Sequence, residues 1–159
     1  MALTSQRMIV IGCLLSFACT LYAASDWLKG STDEKLKTLA EIQPGLGTVM
    51  IEYGNRYSTT YYAAKGGNWD LAAYQIKEMR EIQRVGETTR PARMAGLTGF
   101  ERSYLDPLDA AVKARDWKKF DSAFRAGITG CNECHVATGF PYITYQLPPS
   151  PPSSLSLKP

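Results

Sequence analysis

Near the end of the chain, Cys131-Asn132-Glu133-Cys134-His135 continues an apolar stripe. Trp117, Phe120, Phe124, Ile128, Cys131 and His135 recur every 3 or 4 residues. On a helix this puts Cys131 and Cys134 one turn apart, with His135 one turn beyond Cys131. Two thiols and an imidazole thus share the buried face of one helix. C-x-x-C-H is the attachment signature of a c-type haem. The thiols at that spacing bond to the two vinyl groups of one porphyrin, and the adjacent His stands under the iron as axial ligand. The fold has to enclose a large, flat group at that point.

Other uses of the pentapeptide fail on what surrounds it. A thioredoxin-like redox pair needs a βαβ setting, and no alternation of strand and helix precedes it. Structural zinc needs four N or S ligands. His135 is the only histidine, and the remaining cysteines, Cys13 and Cys19, lie in a hydrophobic N-terminal run.

That run reads as an export signal over residues 1–24. Arg7 precedes a nearly continuous apolar stretch from Ile9 to Ala18, and Leu21-Tyr22-Ala23-Ala24 offers small residues for cleavage. An uncleaved anchor and a lipoprotein on Cys19 are alternatives, although Ser16-Phe17-Ala18-Cys19 is a poor lipobox. Cleavage removes Cys13 and Cys19, leaving only the motif cysteines and no disulfide framework. The expected compartment is the periplasm, where covalent haem c is assembled. The formal charge is +3, and loss of Arg7 leaves +2. Two haem propionates cancel that, so nothing calls for nucleic acid or acidic lipid as a partner.

Helical stripes organise the rest, and 45% apolar residues suffice for a core. Residues 25–147 are expected to form one haem-binding domain. A short helix is expected from Asp33 to Ile42. The next runs from Pro44 to Lys65 on the stripe Leu46, Met50, Tyr53, Tyr57, Tyr61 and Ala64, and Gly66-Gly67 ends it. Asn68 caps a helix from Trp69 to about Val85, with Trp69, Ala72, Ile76, Met79 and Gln83 on one face. Gly86 to Gly99 reads as a connection. A third main helix spans Phe100 to Arg115 on Phe100, Tyr104, Leu108, Ala111 and Val112, kinked or started by Pro107. Asp116 caps the last, which Gly139 and Pro141 end. Phe140 to Tyr145 is expected to fold back over the haem edge. Residues 148–159 read as a flexible Pro/Ser-rich tail. The fold class is all-α, a four-helix bundle with haem c near the end of the last helix.

The position of the motif on the final helix resembles the cytochrome c′-like (class II) monohaem c-type cytochromes. The match covers Pro44 to His135. Ala64-Lys65-Gly66-Gly67-Asn68-Trp69-Asp70-Leu71-Ala72 is similar to a helix junction of small exported cytochromes of this kind, as are the pentapeptide and Gly139-Phe140-Pro141. The chain departs from cytochrome c′ in its long extension after the motif, and no basic residue follows His135 by a turn. The resemblance implies one haem c and dimerisation through the first two helices of the bundle.

With a single His, one chain cannot give bis-His ligation. Met50, Met79 and Met94 are the methionines of the mature part. Met50, on the first stripe, is the candidate sixth ligand, its other reading being a flexible core filler. Met79 reads as core, and Met94 as a surface or lid residue. Tyr53, Tyr57, Tyr61, Phe120 and Phe124 read as core that also walls the porphyrin. Arg56 and Arg125 are candidate propionate partners, against solvated surface. Lys113, Arg115, Lys118 and Lys119 read as a solvated helix end, or as a patch that steers an acidic redox partner. The expected function is a periplasmic one-electron carrier between redox proteins, not an enzyme. The alternatives are a five-coordinate gas-binding or gas-sensing protein, and a haem subunit of a larger redox complex docked through Tyr142-Ile143-Thr144-Tyr145 and the tail.

Overall fold

The computed structural model describes residues 28–159. The expected export signal, with Cys13 and Cys19, lies outside them. Among the described residues the chain is all-helical, with no strand.

Helix α1 (Thr32–Glu41) starts from a capping box in which the Ser31 hydroxyl accepts from the Glu34 N–H and the Glu34 carboxylate accepts from the Ser31 N–H. None of its residues is buried. The compact unit that follows starts at Pro44 and runs to Pro159.

Within that unit, α2 (Leu46–Lys65) and α3 (Trp69–Thr89) form a helical hairpin. Gly67 takes φ +85° in the turn, and the Asn68 side chain accepts from the Leu71 N–H at 3.0 Å. The stripes predicted for both are buried as expected at Tyr53, Tyr57, Tyr61 and Ala64, and at Ala72, Ile76, Met79 and Gln83.

The next segment departs from its prediction. Helix α3 runs on past Val85 to Thr89, and only the short 3-10 turn Pro91–Arg93 separates it from α4 (Met94–Phe100). Gly86 continues the helix because it is packed: a side chain there would press on Leu46, Val49 and Leu97. Helix α4 passes through a π turn (Glu101–Leu105) into α5 (Asp106–Lys113) without a break. The π turn, in which the Asp106 N–H reaches back to the Glu101 carbonyl, directly precedes Pro107. The widened turn accommodates a proline ring that would collide with the carbonyl four residues earlier. The extra residue also rotates the stripe, so Leu105 joins Leu108, Ala111 and Val112 in the core.

Helix α6 (Trp117–Ala137) starts from an Asp116 cap on the Lys119 N–H and packs on α5 and α2. Phe120 and Phe124 are fully buried. Tyr57 stacks on Phe124 with centroids 4.4 Å apart and donates to the Phe124 carbonyl at 2.8 Å. Burial of each such ring contributes about 1.5–3 kcal/mol. The approach requires Gly127 and Gly130, where a Cβ would run into the Tyr57 hydroxyl and the Tyr104 ring.

The segment from Pro148, though mostly exposed, makes contacts with the hairpin. The Tyr62 hydroxyl donates to the Pro148 carbonyl at 2.6 Å, and the Asn68 amide donates to the carbonyls of Ser156 and Lys158. Leu147 and Leu157 pack against the core. Apolar residues at either end of the Pro/Ser run, and two donors on the α2–α3 hairpin, hold the segment along it.

Candidate functional site

Cys131, Cys134 and His135 stand on the last turns of α6 and line one small cavity of about 80 Å³ together with Met50, Tyr53, Gly54, Tyr57, Gln83, Leu97, Phe100 and Tyr145. A groove of about 740 Å³ shares Met50, Leu97, Cys134, His135 and Tyr145 with it, and extends past Leu46, Ile51, Phe140 and Ile143 to Arg90 and Arg93. That volume is in the range of small-molecule and cofactor sites. Its walls are mainly apolar.

The chain after α6 is bent back to hold the site. Gly139 at φ +89° turns it, and the Phe140 N–H donates to the His135 carbonyl at 2.8 Å. The His135 Nδ1–H donates to the Ile143 carbonyl at 2.8 Å. A carbonyl only accepts, so this bond selects the tautomer and leaves the Nε2 lone pair for a ligand. Asn132, inside the pentapeptide, accepts from the Tyr145 N–H at 2.7 Å and donates to the Tyr145 carbonyl at 3.1 Å. The Tyr145 hydroxyl donates to the Gly54 carbonyl at 3.1 Å and lies 2.6 Å from the Ser58 hydroxyl. The return segment is thereby fixed to both α6 and α2. Sequence reasoning assigned no separate role to Asn132, and named Tyr145 only within the return over the haem edge and the candidate docking segment. The only signal was their placement, one between the cysteines and the other just past the helix stop.

Both thiols are unbridged. Burial, then the neighbouring Cys134, pushes the Cys131 thiol up to about 12, so it stays protonated at neutral pH. Burial likewise raises the phenols of Tyr53 and Tyr57 and keeps them uncharged, and it pushes Tyr145 up to about 12. Two buried polar atoms of the cavity lining have no partner: the Tyr53 hydroxyl and Gln83 Oε1. The Gln83 amide nitrogen is committed to Glu87 and Glu101. Unpaired groups of this kind cost about 1–3 kcal/mol unless something in the cavity meets them.

The three methionines separate cleanly. Met50 lines both cavity and groove with Cys134 and His135. Met79 is fully buried in the core, and Met94 is exposed. Neither Arg56 nor Arg125 lines the groove. Arg56 is held by Glu52, Gln75 and Glu78, and Arg125 by Asp121. The basic cluster is largely neutralised, with Lys113 on Asp109, Arg115 on Asp70 and Lys119 on Asp116. It also stands at the opposite end of α6 from the cysteines, about 20 Å away along the axis. Among the described residues, no three His, Cys, Asp or Glu side chains converge to hold a metal ion. No helix among them is long and apolar enough to cross a membrane.

No family model, curated protein or solved structure matches the chain. What the site does therefore has to be argued from its own residues.

Proposed function

We propose that the unit from Pro44 is a four-helix bundle of the cytochrome c′-like kind, its four rods being α2, α3, α4 continued into α5, and α6. On this reading it carries one haem c and acts as a one-electron carrier, exported to the periplasm, between redox partner proteins. The observation that carries the reading is the convergence of Cys131, Cys134 and His135 on one apolar cavity, with the imidazole's Nδ1 already engaged. The donor set fits the group, and the adjoining groove of about 740 Å³, which Cys134 and His135 also line, supports the reading as room for it.

Cys131 and Cys134 fasten the porphyrin as thioethers. His135 binds iron through Nε2, and Ile143 fixes the ring's orientation. Met50 is the candidate second ligand, the arrangement that raises the potential of electron-transfer haems. The haem supplies reversible one-electron chemistry, and the chain supplies position, dielectric and ligands. Uncharged Tyr53 and Tyr57 keep the inner wall free of fixed charge. No substrate is transformed, so the protein is read as a non-enzyme. A homodimer through α2 and α3 belongs to the same proposal.

A second reading, a five-coordinate gas-binding protein, is favoured by the cavity beside Met50 and its two unpartnered polar atoms. Absorption spectra decide between them. The carrier gives sharp low-spin bands when reduced and no shift with carbon monoxide, and Met50→Ala converts it to a carbon monoxide-responsive form. A high-spin wild type that responds at once, with Met50→Ala unchanged, makes Met50 a core residue and supports the second reading.

A further inference from the structure

Four arginines of the described unit are half-buried: Arg56, Arg80, Arg90 and Arg93. Two of them are neutralised. Arg56 bridges Glu52 and Glu78, and Arg80 bridges Glu101, Asp106 and Asp109. The other two are not. The Arg90 side chain bonds only to carbonyls, its own neighbour Thr89 at 2.6 Å and Pro44 at 3.1 Å, and the Arg93 guanidinium has neither a carboxylate nor a hydrogen-bond partner among the described residues. Both uncompensated guanidiniums line the same groove, and no acidic residue lines it with them. A partly desolvated cation without a counter-charge is unfavourable. Two of them at one rim, with apolar walls behind, describe a receptor for a molecule that is apolar along one edge and doubly anionic along the other.

We propose that Arg93, assisted by Arg90, is the carboxylate anchor of this groove, holding the two acid groups of a flat apolar ligand whose opposite edge reaches Cys131 and Cys134. This rests on the reading above, in which the ligand is haem and its acid groups are the propionates. It replaces Arg56 and Arg125, which face elsewhere and are already paired. Guanidinium suits the role because its planar fork matches a carboxylate. Of the two, Arg93 is the cleaner probe, since its substitution breaks no hydrogen bond that the fold uses.

The test on the pigmented protein is the reduction equilibrium of Arg93→Gln. Loss of a positive charge beside the ligand favours the oxidised, more cationic form. The expected change is about tenfold, a fall of about 59 mV for one electron. A propionate that has lost its counter-charge protonates at higher pH, so the rise of potential on acidification starts at a higher pH than in wild type. Arg93→Lys retains most of the wild-type potential, and Arg102→Gln, an exposed position outside the groove, leaves it unchanged. A shift in Arg93→Gln no larger than in Arg102→Gln overturns the proposal while leaving the haem assignment intact. If the purified chain carries no covalent pigment, the haem assignment fails, and a titration still decides the arginines. Mesoporphyrin as the dicarboxylate then binds at least tenfold more tightly than its dimethyl ester, and Arg93→Gln abolishes the preference. Equal affinities for acid and ester overturn the proposal.

Discussion

The two ends of α6 solve opposite problems. At its N-terminal end Phe120 and Phe124 are sealed against Tyr57, Tyr61 and Trp69, ring on ring. Both rings are fully buried there. At its C-terminal end α6 carries Cys131 and His135 against a cavity and an open groove, with a hydroxyl and an amide oxygen left unpaired. One helix thus runs from a closed core into a site whose packing is incomplete within the chain. The lesson is in Tyr53 and Tyr57, one helical turn apart on α2. Tyr57 donates to Phe124 and is part of the core, whereas Tyr53 is just as buried and has no partner. An element can satisfy itself for most of its length and still end in residues that wait for something else.

The comparison is broken first by deletions of volume. Phe124→Ala at the closed end is expected to lower the unfolding free energy by about 3–5 kcal/mol, and Leu97→Ala at the cavity by less than half as much, because no packed cavity is created where one already exists. Denaturant titration measures both, and equal losses erase the distinction. Next come the glycines of close approach. Gly130→Ala drives a methyl group into the Tyr104 ring and should cost about 1–3 kcal/mol. Gly54→Ala, which meets the Tyr145 ring at 3.2 Å, should cost less because that ring stands on the return segment. Asn132→Ala removes both bonds to Tyr145 and is expected to cost about 1–2 kcal/mol. Its hydrogen-exchange protection should drop in residues 140–148 and not in α3; unchanged protection would show that the return segment is held without Asn132. The smallest effects are the sharpest. Tyr57→Phe should cost about 1 kcal/mol, and Tyr53→Phe in unpigmented protein should stabilise by about 1 kcal/mol, because the first loses a hydrogen bond and the second removes a buried hydroxyl that has none.

Much of this was legible beforehand. The stripes of α2, α3 and α6 follow a simple helical period, so their buried faces and the placing of Cys131 and His135 on one of them could be read off the residues. The segment from Gly86 to Leu105 could not. Gly86 looks like a breaker but lies within the helix in close contact with Leu46 and Val49, and the π turn before Pro107 shifts the period by one residue. Both are set by tertiary packing, which a local pattern does not carry. The contacts of the tail went unread for a related reason. Its Pro/Ser composition suggests solvent, yet Leu147 and Leu157 and the donors on Tyr62 and Asn68 tie it down. At the site, spacing named the thiols and the imidazole, and Met50 emerged as the only one of the three methionines to line the groove. The pairing of Arg56 and Arg125 with nearby carboxylates could not be read beforehand, because side-chain pairing has no linear signature.

The central claim is that the space beside Cys131 and His135 belongs to a covalently held haem. Intact-mass spectrometry of the full chain, purified from a host able to attach such groups, tests it most directly. The account requires a coloured protein heavier than its polypeptide by one haem, with the added mass on the peptide that contains Cys131 and Cys134. A colourless protein of unmodified polypeptide mass, with both thiols open to alkylation after unfolding, would contradict it.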